Sequence, residues 1–138
     1  TFRVAARNDA TDSIGSEGTR SAASASITAS GPPTAPQNML AALDEFETPG
    51  KLVLTWSAPS SSGAPSGITG YNVYQSTGTL VATLGNVLTY DVTGLTPGVQ
   101  YGYFTRARNA VSDTVGTHSA DSTVAYATPV GAPDAPTG

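Results

Sequence analysis

Short strands joined by turns, with no helix, are what this sequence predicts, and three features carry that all-β reading. The first is a turn followed by a long alternation: Pro97-Gly98 precedes Tyr101, Tyr103, Thr105 and Ala107, which recur at period two. Such spacing is that of a strand with one buried face. The second is a shorter run of the same kind, Leu52, Leu54 and Trp56, with Val53 and Thr55 on the opposite face. The third is composition. Fifteen Ser and twenty Thr make up about a quarter of the chain and join 15 Gly and 10 Pro, a balance that favours strands, turns and a neutral polar surface.

Length and charge narrow the function classes. The 138 residues allow one ordinary domain and a remnant of another. Only 12% of residues are charged, the net charge is −4 and Lys51 is the sole lysine, which leaves almost nothing from which to build a phosphate-tracking surface. Nucleic acid is therefore not an expected partner. The sequence contains no run of 18 apolar residues and no charged segment followed by an apolar one at its start, so membrane insertion is not expected either. Cysteine is absent, which removes disulfides and thiolate metal sites and leaves packing and ladder hydrogen bonds to hold the fold.

An internal echo sets the organisation. Phe2-x-Val4-x-Ala6-x-Asn8 returns as Tyr103-x-Thr105-x-Ala107-x-Asn109, an offset of 101 residues. Ser21-Ala22-Ala23-Ser24 answers Ser119-Ala120-Asp121-Ser122 at an offset of 98, and Pro33-Thr34-Ala35-Pro36 answers Pro133-Asp134-Ala135-Pro136 at 100. Residues 1–31 thus read as the last two strands of a preceding or donated module, 32–36 as a Pro-rich linker, 37–128 as a complete module and 129–138 as the linker to a following one.

Within the complete module, 37–46 reads as the first strand, with Met39, Ala41 and Leu43 alternating before the acidic group Asp44, Glu45 and Glu47. Pro49-Gly50 turns the chain into the second strand, 51–57, centred on Trp56. Residues 58–67 are Pro, Ser and Gly rich and form a loop. Ile68, Tyr71 and Val73 carry the third strand inward, 79–84 is a short fourth, and 87–93 is the fifth, with Tyr90 and Val92 leading into Leu95. After the strand that begins at Tyr101, residues 110–118 read as a hairpin loop and 119–128 as the last strand.

The stretch Leu95-x-Pro97-x-x-x-Tyr101, followed by Tyr103-x-Thr105-x-Ala107-x-Asn109, resembles the turn and F strand of a fibronectin type III domain, with Thr105 where that family usually has Val. The resemblance extends to Trp56, Tyr71, Tyr90 and Leu95, and covers the complete module fully and the first 31 residues in part. It implies an immunoglobulin-like two-sheet sandwich of seven strands whose structural core is Trp56, Tyr71, Val73, Tyr90, Leu95, Tyr101 and Tyr103. It also implies that Tyr101 is a tyrosine corner, its hydroxyl bonded back to the turn.

Catalytic and metal chemistry find little to work with. His118 is the only histidine and falls in a loop with no concave wall, so neither an imidazole metal site nor a Ser-His-Asp triad is expected. Asp44, Glu45 and Glu47 lie where neighbouring strand positions point to opposite faces, an acidic strand end rather than a calcium site. Tyr74 and Tyr126 are the rings out of phase with the buried register, two exposed aromatics of the kind that can stack on a sugar. No Asn-x-Ser/Thr acceptor occurs, although the many hydroxyls could carry O-linked glycan. The expected function is a non-catalytic structural or assembly module, without cofactor, of an extracellular or cell-surface protein, partnered by neighbouring copies of itself through an assembly face of Phe2, Val4 and Ala6. Two other classes fit the same residues: an accessory spacer of a secreted polysaccharide-degrading enzyme, and an adhesive module that binds glycan or protein through its loops.

Overall fold

A computed structural model describes residues 2–4, 22–24 and 29–138, so Ala6 and the rest of 5–21 and 25–28 lie outside the described residues. Among the described residues seven strands follow one another: β1 (Gln37–Ala42), β2 (Leu52–Ser57), β3 (Gly70–Gln75), β4 (Leu80–Leu84), β5 (Thr89–Val92), β6 (Tyr101–Arg108) and β7 (Ala125–Ala127). They form two antiparallel sheets, one in the order β1-β2-β5 and the other β4-β3-β6-β7. The strand alternation positions the core. Leu52, Leu54 and Trp56 turn inward from β2, Tyr71 and Val73 from β3, and Tyr103 and Ala107 from β6, all of them buried. Tyr90, Leu95 and Tyr101 are partly buried and pack against that cluster, as do Ala41 and Leu43 beside buried Met39. Trp56 meets Tyr71 edge to face at 5.5 Å between ring centroids, a contact that joins the two sheets.

The turn before β6 is closed by the Tyr101 hydroxyl, which accepts a hydrogen bond from the Thr96 N–H at 3.1 Å. That bond also favours the phenolate and holds the Tyr101 pKa below its ordinary value. Tyr71 differs: its hydroxyl is buried and has no protein partner, and desolvation raises its pKa.

Three expectations are corrected. Residues 110–118 are not an open hairpin loop: α1 (Ala110–Val115) occupies most of them. Its first turn is fixed by a reciprocal cap, in which the Asn109 side chain accepts from the Ser112 N–H and the Ser112 hydroxyl accepts from the Asn109 N–H, both at 2.8 Å. Gly116, at φ 73°, supplies the left-handed residue that ends the helix. The first strand stops at Ala42 instead of 46, because Asp44 leaves the ladder to accept from the Thr48 N–H and hydroxyl, both at 2.6 Å. Asp44 and Glu45 therefore lie in a turn and not on a strand end.

The third correction concerns the last strand, only three residues of which form a regular ladder. Ahead of it, three residues of the chain oppose every two of β6: Ser119 lies against Ala107, Ser122 against Thr105 and Ala125 against Tyr103. An ordinary ladder cannot keep that register. The serine hydroxyls replace its missing carbonyls, since Ala107 N–H donates to Ser119 Oγ at 2.8 Å and Thr105 N–H to Ser122 Oγ at 3.0 Å. In return the Ser119 and Ser122 N–H groups donate to the carbonyls of Ala107 and Thr105 at 3.1 and 2.9 Å.

Two stability measurements follow. Trp56→Ala should lower the unfolding free energy by about 3 to 5 kcal/mol in denaturant titrations followed by far-UV circular dichroism; a loss under about 1 kcal/mol would remove Trp56 from the core. Tyr101→Phe should cost about 1 to 2 kcal/mol, whereas Tyr71→Phe, which deletes a hydroxyl with no partner, should leave the midpoint unchanged or raise it. Equal losses at the two tyrosines would contradict the corner bond.

Candidate functional site

Antiparallel strands place alternate loops at opposite ends of the sandwich. One end gathers the chain arriving at β1, the loop of residues 58–69 and α1. We call it the incoming pole. Here Asn109, fully buried at the end of β6, spends both ends of its carboxamide. Its oxygen caps α1, and its nitrogen donates to the carbonyls of Gly31 at 2.8 Å and Ser62 at 2.7 Å. The arriving segment is held at further points. The Gly31 N–H donates to the Gly63 carbonyl at 2.8 Å, the Thr34 N–H to the Ser61 carbonyl at 3.0 Å, and the Ser61 N–H to Thr34 Oγ1 at 3.0 Å. Gly63 must be glycine, because its φ of +70° is left-handed and a Cβ there would stand 2.2 Å from the Pro32 carbonyl oxygen. A shallow cleft of about 270 Å³ opens beside this seat, between residues 29–30 and 61–65.

At the opposite, outgoing pole the chain leaves under similar restraint. Pro129 is buried and accepts from the Gly98 N–H at 3.0 Å, while Val130 accepts from the Gly50 N–H at 2.9 Å. The Gly50 carbonyl in turn accepts from the Leu95 N–H at 3.0 Å. Phe46 is 81% exposed at this end.

The outer faces of the sheets are occupied by ion pairs and rings. Over the three-stranded sheet lies an open hollow of about 460 Å³ lined by Leu40, Phe46, Val53 and Thr55. Lys51 spans it between Asp44 at 3.5 Å and Asp91 at 2.9 Å. The Asp91 hydrogen bond raises the Lys51 pKa, and the Thr48 hydroxyl is the largest of the influences that lower that of Asp44. On the four-stranded sheet Tyr74 stacks on Phe104 at 5.1 Å, 8° from parallel. The Arg106 guanidinium lies 4.9 Å from the Tyr74 ring centre and pairs with Asp121. Tyr74 is thus half-buried in a stack of this chain's own making, while Tyr126 is 58% exposed.

Reactive groups do not converge among the described residues. No group of three or more His, Cys, Asp or Glu side chains is close enough to hold a metal ion. His118 is half-buried behind α1 and is the least of the influences that lower the Asp113 pKa, the first being a hydrogen bond from Thr69 Oγ1 at 2.7 Å. Of the expected assembly face, Phe2 and Val4 are 83% and 72% exposed. Sequence reading missed the incoming pole. Asn109 is visible there as the end of a strand motif, but its bond to Gly31 spans 78 residues and leaves no periodic signal.

Comparison with known proteins agrees with this geometry. The family described as "Fibronectin type III domain" matches residues 34–124. Among solved structures, a Fn3-like protein from Clostridium thermocellum is 27% identical over 70% of this chain and 92% of its own, with a TM-score of 0.54. The sixth fibronectin type III domain of human fibronectin type III domain containing protein 3 is 17% identical over 80% of this chain and 98% of its own, with a TM-score of 0.59. The Yersinia enterocolitica family 28 exopolygalacturonase is 20% identical over 72% of this chain and 21% of its own, with a TM-score of 0.55. The search of curated protein sequences found no match. With two antiparallel sheets, a buried Trp56, the Tyr101 corner and a family match across most of its length, the chain belongs to the fibronectin type III family.

Proposed function

We propose that the chain is a window on a tandem array of fibronectin type III modules in an extracellular or cell-surface protein, acting as a non-catalytic spacer and assembly unit. One observation carries this reading. The Ser24 N–H donates to the Phe2 carbonyl at 3.1 Å and the Phe2 N–H to Ser24 Oγ at 3.3 Å. This is the same reciprocal pattern that Ser119 and Ser122 make with β6, in the segment whose sequence echoes them, with Ser24 on Phe2, the counterpart of Tyr103, where its own counterpart Ser122 bonds Thr105. Residues 1–31 are then the last two strands of another module, 37–128 a complete one, and 32–36 and 129–138 their linkers. Phe2 and Val4 present apolar side chains that a two-stranded remnant cannot cover, so the remaining strands come from the preceding module or from a neighbouring subunit.

The likeness to the exopolygalacturonase, a fold-level one, favours a second reading in which the module is a spacer in a secreted polysaccharide-degrading enzyme. The sequence flanking residues 1 and 138 separates the two: further repeats favour the array, a catalytic domain the enzyme.

Intact mass and hydrogen exchange on the native polypeptide test the array. A mass well above 13.9 kDa and slowed exchange at the Phe2 and Ser24 amides are expected. Phe2→Asp, which places a charge on the covered face, should abolish that protection and leave residues 37–128 folded. A native mass of 13.9 kDa with free-peptide exchange at Phe2 and Ser24 would refute the reading.

A further inference from the structure

We infer that the incoming pole is a docking surface for the outgoing pole of a second copy of this module, and that the two meet through a linker with no free residue, so that successive modules form one rigid body. The inference rests on the array reading and adds the geometry of its joints. Residues Gly31-Pro32-Pro33-Thr34-Ala35-Pro36 recur as Gly131-Ala132-Pro133-Asp134-Ala135-Pro136, which makes Gly131 the counterpart of Gly31 in the following module. Gly31 is seated through both of its backbone groups, its N–H on Gly63 and its carbonyl on Asn109. Val130, the residue immediately before Gly131, is seated on Gly50 of its own module. The last restrained residue of one module is therefore bonded directly to the first restrained residue of the next.

Side-chain chemistry at the repeat agrees with this. Thr34 Oγ1 accepts from the Ser61 N–H and lies 3.1 Å from Ser60 Oγ. Asp134, at the equivalent place, has a carboxylate that can accept from a Ser61 N–H and a Ser60 hydroxyl, although it has no proton for the Ser61 carbonyl to which Thr34 Oγ1 also donates. Pro32, Pro33 and Pro36, like Pro133 and Pro136, hold φ near −65° and stiffen what little chain lies between the modules. Residues of suitable character also face the joint. Phe46 and Val99 are exposed at the outgoing pole, and Val115 is 62% exposed on α1 at the incoming one. A joint that brings the two ends together covers apolar surface that a solitary module leaves in water.

The test is a chain in which residues 31–130 occur twice in succession, so that Val130 is followed by a second Gly31 and the full sequence is otherwise kept. Residual dipolar couplings from both copies should fit a single alignment tensor. Asn109→Asp in the second copy keeps the cap on α1, since a carboxylate still accepts from Ser112, but removes the donor to Gly31 and Ser62. It should raise amide exchange at the junction Gly31 by about ten-fold, the loss of one net hydrogen bond, and split the couplings into two tensors. As an independent variant, four residues Gly-Ser-Gly-Ser inserted after the first Val130 should split the tensors without altering either module. Two tensors in the unaltered duplicate would overturn the inference, as would a single tensor that survives the insertion. These outcomes do not depend on the length of the native polypeptide, so the array reading can fail on intact mass while the joint stands, or the joint can fail while the array stands.

Discussion

No ladder hydrogen bond joins the three-stranded sheet to the four-stranded one, and with no cysteine in the chain the sandwich depends on side chains meeting across the gap. The edge-to-face contact of Trp56 with Tyr71 lies at the centre of that packing. Around it the buried residues come alternately from each sheet, so that Leu52, Leu54 and Val92 on one side face Tyr103, Val73 and Ala107 on the other. Each sheet by itself would expose an apolar face, which is why neither is a folding unit. Polar termini of the core side chains are treated unequally: Tyr101 reaches the turn backbone, while Tyr71 and the Trp56 indole N–H find no protein acceptor.

Wherever burial repeats with a fixed period, the sequence could be read. The alternation at Leu52, Leu54 and Trp56, and again along β6, gives the strands and their inward faces, because a pleated chain offers every second residue to the core. The corner tyrosine was legible through the resemblance of Leu95-x-Pro97-x-x-x-Tyr101 to the family's turn, which implied the hydroxyl bond that the alternation alone does not. Where structure is set by local hydrogen bonds the alternation says nothing. The helix after Asn109 is six residues long and contains Val111, Thr114 and Val115, whose branched side chains argue for strand. Its signal lay in the Asn109-x-x-Ser112 cap and in Gly116, features that fit a loop equally well. The stretch that leads into β7 shows no period of two because residues 119–124 advance three for every two of β6, held by serine hydroxyls. The incoming pole was the least legible part, since it joins residues 31–34, 61–63 and 109 that are far apart in the chain and share no composition.

Asn109 concentrates several of these local effects in one buried side chain. It ends β6, starts α1, closes the loop of residues 58–69 and receives the arriving linker. Apart from β6, each of those elements is short and irregular, and none has a hydrophobic core of its own. A carboxamide is the group suited to the position, because it offers an acceptor on one side and two donor hydrogens on the other without carrying charge into a buried place. The two poles are thus ordered by polar bonds, whereas the middle of the sandwich is ordered by apolar contact.

The hydroxyls that substitute for backbone carbonyls bear on the chemistry of the finished surface. Ser112, Ser119 and Ser122 are buried, and each Oγ both accepts from a backbone N–H and donates to a carbonyl. A glycosyltransferase or kinase acting on the folded module has no access to these oxygens, and a group attached to one before folding would break the register of the last strand. The hydroxyl-rich composition therefore divides into two populations, one available to decorating enzymes on the outer faces and one withdrawn from them for as long as the module remains folded.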